Sequence, residues 1–126
     1  MTAENPSGYK NLIVWQKSLN YANTVISLID NLETSRRHYR LYEQLESSVT
    51  SVPMNIAEGR GRDSKKEFIR FLYIARGSLF ETLTLLEIFK LRDWLSQETF
   101  SELEKQSNEI AKLINGLIRS LSKTIS

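Results

Sequence analysis

Ser51-Val52-Pro53-Met54-Asn55-Ile56-Ala57-Glu58-Gly59-Arg60-Gly61-Arg62 is the stretch on which the fold turns. It holds a proline inside an apolar row, a polar pair, two glycines and a basic turn. Leu41, Leu45, Val49, Val52 and Ile56 recur at helical spacing, and the row keeps its phase across Pro53. Proline removes one backbone donor and disfavours the helical conformation of the residue before it, here Val52. An in-phase row predicts a kink rather than a break, with the Thr50 or Ser51 hydroxyl meeting the freed carbonyls. Gly59 and Gly61 then predict the helix stop, since either tolerates the left-handed conformation used at helix C-termini.

Upstream, Leu12, Trp15, Leu19, Ala22, Ile26 and Ile29 alternate steps of three and four. Val14, Tyr21, Val25, Leu28 and Leu32 form a flanking row, so this first helix has a wide apolar face and touches more than one neighbour. Asn11 is its expected N-cap. Residues 1–10 read as a flexible lead-in, and residues 33–38, without an apolar member, as the first connection. Downstream, Ser64-Lys65-Lys66-Glu67 fits a capping box. Phe68, Phe71, Leu72, Ala75, Leu79, Leu83 and Leu86 follow as a core row. Ile69, Tyr73, Phe80 and Leu91 line up on nearly the opposite side. A helix apolar on both sides is either central to a large protein or shared with another chain. A chain of 126 residues is too small for the first, so these four predict self-association. Gly77, beside Ala75 and Ser78, is expected to allow close helix approach. Ser96 caps a fourth helix, where Phe100, Leu103, Ile110, Ile114, Leu117 and Leu121 recur at heptad-like spacing. Nothing alternates with period two. The expectation is all-α: an up-down-up-down four-helix bundle over residues 11–126 with a proline kink in the second helix. Helices of about 20 to 30 residues would measure roughly 30–45 Å.

Composition narrows the chemistry. No cysteine is present, which excludes disulfides, thiolate metal sites and thiol catalysis. The longest uncharged stretch, Ser18 to Ile29, is too short and too polar to span a bilayer. The start of the sequence lacks the basic-then-apolar order of a signal peptide, so the expected compartment is the cytoplasm and no membrane partner is expected. A di-metal centre in a bundle needs paired Glu-x-x-His motifs. The chain has one histidine, His38, read as a solvated loop residue, and no such motif. There is no Gly-x-Ser-x-Gly elbow and no phosphate loop. No cofactor and no catalytic residue are expected, and the protein does not read as an enzyme.

Two clusters remain. Gln44, Ser48, Ser51, Asn55 and Glu58 form a polar stripe beside the core row of the second helix, read as a structural hydrogen-bonded network because half-buried polar groups need partners. Glu81, amid apolar neighbours, is assigned to the same network or to a partner such as Arg76. The net charge is only +2, but Arg60, Arg62, Lys65, Lys66 and Arg70 crowd one helix corner. Clustered cationic groups are what a phosphate backbone needs, and a helix N-terminus adds donors. Arg119 and Lys123 would lie at the same end of an up-down bundle.

Tyr9-Lys10-Asn11-Leu12-Ile13-Val14-Trp15-Gln16-Lys17, Tyr42-Glu43-Gln44-Leu45, the Pro53-to-Gly59 run and Ala75-Arg76-Gly77-Ser78-Leu79-Phe80-Glu81 come in that order. Together they resemble the four-helix-bundle family encoded in intervening sequences of bacterial 23S rRNA genes, over about residues 9–95. The resemblance implies a bacterial cytoplasmic homopentamer. It also implies kinship with the accessory proteins of diversity-generating retroelements, which are basic pentameric bundles that bind nucleic acid and partner a reverse transcriptase. The position after Leu45-Glu46, often basic in the family, is Ser47 here, which thins any positive face on that helix. The reading is a non-catalytic oligomeric accessory protein that binds RNA or DNA backbone through the basic corner. The alternative is a purely protein-binding structural scaffold.

Overall fold

The computed structural model describes residues 8–32 and 36–125. Among them the chain forms four helices and no strand: α1 (Ile13–Asp30), α2 (Tyr39–Arg60), α3 (Lys65–Leu91) and α4 (Gln97–Lys123). Each helix packs on its neighbour in sequence, and α1 closes against α4, while the backbones of the diagonal pairs do not approach closely. The result is the up-down-up-down bundle, with α2 against α3 as its most extensive contact. At 1.5 Å per residue, α3 and α4, of 27 residues each, are about 40 Å long. The 18-residue α1 is shorter than expected.

Side chains from all four helices fill the core. Tyr21, Val25, Leu45, Val49, Val52, Ile56, Leu72, Leu79, Leu86, Phe89 and Ile114 are fully enclosed. The two rows of α1 exchange roles relative to the expectation. Val14, Ser18, Tyr21, Ala22 and Val25 are buried, whereas Leu19 stands 45% exposed. Both rows are apolar, so periodicity alone does not order them.

Helix ends follow the sequence in part. Ser64 caps α3 by accepting the Glu67 amide at 3.1 Å, and Ser96 caps α4 by accepting the Thr99 amide at 3.0 Å. Asn11 is not the cap of α1. It sits in a short 3-10 turn, Tyr9–Asn11, that Gly8 enters with φ 70°, and Leu12 holds the cap position without a side-chain bond. The remainder of the lead-in, residues 1–7, and residues 33–35 of the first connection lie outside the described residues. His38 is not a free loop side chain. Its ring lies 4.7 Å from that of Trp94, which also packs edge-on against Tyr42 and Phe89.

The opening stretch behaves differently from its reading in two respects. α2 continues through a buried Pro53 without a break, as the in-phase row predicts, but the nearby hydroxyls do not serve carbonyls freed by the proline. Thr50 Oγ1 donates to the Glu46 carbonyl at 2.8 Å, and the Ser51 hydroxyl pairs with Ser78. Nor is Gly59 a helix stop. It is buried within α2, where a Cβ would stand 2.6 Å from Cβ of Phe71, so its bare backbone is what lets the start of α3 fold back onto α2. Gly61 ends the helix with φ −82°, on the right-handed side.

Candidate nucleic-acid interface

The α2–α3 turn, the C-terminus of α4 and the segment before α1 meet at one end of the bundle. Lys65 Nζ donates to Thr124 Oγ1 at 2.7 Å, which joins the start of α3 to the end of α4. Gly8 lies against the Arg60 guanidinium, close enough that a Cβ on it would be 3.0 Å from Nη2. Among the described residues this pole therefore gathers Lys10, Arg60, Arg62, Lys65, Lys66, Arg70, Arg119 and Lys123 against Glu58, Asp63 and Glu67. All eight basic residues are exposed.

The five residues singled out in the sequence do come together, but not as five free cations. Arg62 donates to Glu58 at 2.8 Å, and Arg70 donates to Glu67 at 3.2 Å. The Arg70 bond holds the Glu67 carboxyl below the ordinary carboxylate range. Both guanidiniums also lie over the Phe71 ring, at 4.8 and 4.7 Å from its centre. Two arginines are thus held beside one aromatic ring, each with a glutamate. Exposed ion pairs contribute about 0–1 kcal/mol, so either glutamate is held only weakly. Lys66 has no partner among the described residues. The Glu67 carboxylate turns to Arg70, so only the Ser64 half of the capping box forms.

The polar stripe divides. Ser48, Ser51 and Asn55 build a network, but their partners are Ser78 and Thr82 on α3. Thr82 Oγ1 lies 2.9 Å from both Ser48 Oγ and the Ser78 carbonyl, Ser51 Oγ pairs with Ser78 Oγ at 2.8 Å, and Asn55 Nδ2 donates to Ser51 Oγ at 2.8 Å. Gln44 and Glu81 are exposed and outside it, and Glu58 belongs to the basic pole. Arg76 does not pair with Glu81; its guanidinium donates to Asn115 on α4 at 2.7 Å and lies over the Tyr73 ring. A further buried pair, Tyr21 with Ser107, ties α1 to α4. Ser107 occupies the gap between Leu103 and Ile110 in the heptad-like row, which was its only sequence signal.

On the apolar side of α3, Tyr73, Phe80 and Leu91 are exposed, with Ile74 and Ile88 flanking them. Ile69 is half-buried and packs on the chain's own core, so it does not belong to that free face. Nothing lies within 4 Å of a Cβ placed on Gly77, so Gly77 makes no close approach inside the chain. No group of three or more His, Cys, Asp or Glu gathers to hold a metal among the described residues. No helix described is long and apolar enough to cross a membrane.

Fold and pole together define a small helical bundle with a cationic end. The sequence model of the 23S rRNA-intervening sequence proteins matches residues 10–116. The chain belongs to that family. A solved structure from Bacteroides thetaiotaomicron, described as a protein of unknown function from the S23 ribosomal protein family, is similar at 29% identity with a TM-score of 0.79, over 85% of this chain and 96% of that one. No curated protein matches the chain.

Proposed function

We propose that this protein is a non-catalytic, self-associating accessory protein that binds the phosphate backbone of RNA or DNA through its basic pole. The observation that carries this reading is the convergence of Lys10, Arg60, Arg62, Lys65, Lys66, Arg70, Arg119 and Lys123 on one end, from four separate segments. A phosphate polymer gains from such clustering because each neutralised phosphate releases counterions. The contacts are read as phosphate binders without base specificity, because lysine and arginine on a phosphate backbone fix position and carry no sequence information. The exposed apolar face of α3 supports self-association, as a homopentamer in the family's manner. A cytoplasmic setting and a reverse transcriptase as protein partner belong to the same proposal.

One observation favours a second reading, a protein-binding scaffold whose corner is solvated surface: Arg62 and Arg70 already have glutamate partners. The two separate in a titration of structured RNA and duplex DNA at two salt concentrations, beside the variant Arg60→Glu/Arg62→Glu/Lys65→Glu/Lys66→Glu. Backbone binding predicts affinity falling with salt, with a logarithmic slope of about 0.7–0.9 per phosphate contacted, and a shallower slope in the variant. Absence of binding at low salt, or binding indifferent to the variant, establishes the scaffold reading instead.

A further inference from the structure

A second apolar surface lies on another side of the bundle. Leu19, Ala22 and Ile26 on α1, with Pro53 and Met54 on α2, line an open groove between these helices. Its remaining lining residues, Asn20, Asn23 and Thr50, are uncharged. Met54 projects from it 67% exposed. The free face of α3 has the opposite relief. Tyr73 and Phe80 stand out at 48% and 52% exposure, and Gly77, one turn from each, leaves a hole between them.

The two surfaces are level along the bundle axis. Ser51 touches Ser78 and Ser48 touches Thr82, so Thr50 to Met54 on α2 is at the height of Ala75 to Leu79 on antiparallel α3. Tyr73 and Phe80 bracket that height, about 10 Å apart along the helix. A rotation about an axis parallel to the bundle can therefore carry the ridge into the groove with no axial shift.

We infer that the α1–α2 groove is the seat for the α3 ridge of a second copy of this chain, with Met54 entering the hole at Gly77. This rests on the self-association proposed above and adds which surfaces meet. A two-fold pairing of ridge on ridge would leave the groove and Met54 bare, whereas the head-to-tail contact covers both. A head-to-tail contact without axial shift closes into a ring when its rotation divides a full turn, and has no rise along which to run on as a helical filament. Met54 suits the role, because an unbranched thioether side chain fills irregular holes.

The absence of cysteine makes the test direct, since introduced thiols are the only ones present. Met54→Cys and Gly77→Cys are prepared singly and together. Both positions face solvent in the subunit, and a Cβ at Gly77 meets nothing within 4 Å, so helix content by circular dichroism should be unchanged. Under mild oxidation, an equal mixture of the single variants should convert about half of its monomer band to a covalent dimer, and neither variant alone should do so. The double variant should give a ladder ending at the size that light scattering reports for the unaltered protein. A multimer whose Gly77→Cys variant crosslinks to itself, or which yields no crosslink in the mixture, overturns this contact and leaves self-association standing. A ladder without end overturns ring closure. A monomer at every concentration overturns both.

Discussion

Gly59 shows how much one missing methyl decides. A Cβ there would sit 2.6 Å from Phe71 Cβ and 3.0 Å from the Phe68 ring, and both aromatic residues are buried. Gly59→Ala gains about 1 kcal/mol of helix propensity. Against that stands the strain of overpacking, typically 1–3 kcal/mol, and neither neighbour is the far end of a flexible chain. The expected outcome in urea denaturation is a net loss of stability. Gly116→Ala supplies the opposite sign: its Cβ meets only the Arg119 guanidinium at 3.8 Å, so the propensity gain of about 1 kcal/mol survives. Equal midpoints for the two variants would refute the close-packing role of Gly59. The role is invisible in sequence, because a glycine near a helix end reads as a stop. Only the position of Phe71 on the returning helix makes it a contact.

Among the elements, the α2–α3 pair shows where polar groups fix helix pairing. Thr82 is buried and hydrogen-bonds across to Ser48 Oγ. Thr82→Val keeps the shape and strands the Ser48 acceptor, though Ser48 still donates to the Leu45 carbonyl at 3.1 Å. A loss of about 0.5–1.5 kcal/mol follows, the net worth of one neutral hydrogen bond. Adding Ser48→Ala removes the stranded partner as well, so the double variant should lose less than the sum of the two singles, read in a double-mutant cycle. Strict additivity would show that the bond contributes nothing to pairing. The four helices, the Ser64 and Ser96 caps and the first half of the α3 core row are legible because each is written in spacing or capping residues within one segment, whereas Leu85 and Phe89, buried nearer the end of α3, fall outside the expected row. The order of the two α1 rows was not, since both are apolar and only the position of α4 chooses between them. The network was half legible: the stripe on α2 shows in its spacing, but Ser78 and Thr82 look like ordinary helix-surface residues until α3 is placed. The basic pole is legible as a cluster, but its pairing with Glu58 and Glu67 is not, because spacing permits these exposed pairs without deciding which cation each glutamate takes.

At the scale of the whole molecule, Tyr21 and Ser107 bond the first long helix to the last, beside the exposed Lys17–Glu109 pair at 3.2 Å. Burial pushes the Tyr21 hydroxyl up to about 12 from 10.0, outweighing the Ser107 bond that pulls it down. A raised folded value stabilises fully below the unfolded value and is lost as pH rises through the folded one. The loss therefore falls between about pH 10 and 12 and amounts to something on the order of 2–3 kcal/mol. Tyr21→Phe should be less stable at neutral pH and show a flatter stability profile across that window. A wild-type profile as flat as the variant's would refute the assignment. The seam has a kinetic meaning too. Nearly all packing joins helices adjacent in sequence, so the bundle assembles through short loops and should fold quickly for its length. The α1–α4 closure is the exception, since it must bring the two ends of the chain together and has the sparsest packing of the four helix–helix pairs. Amide protons of the α2–α3 hairpin should accordingly be the last to exchange. Opening along α1 and α4 should be the first excursion the native state makes, read as the fastest-exchanging helical amides.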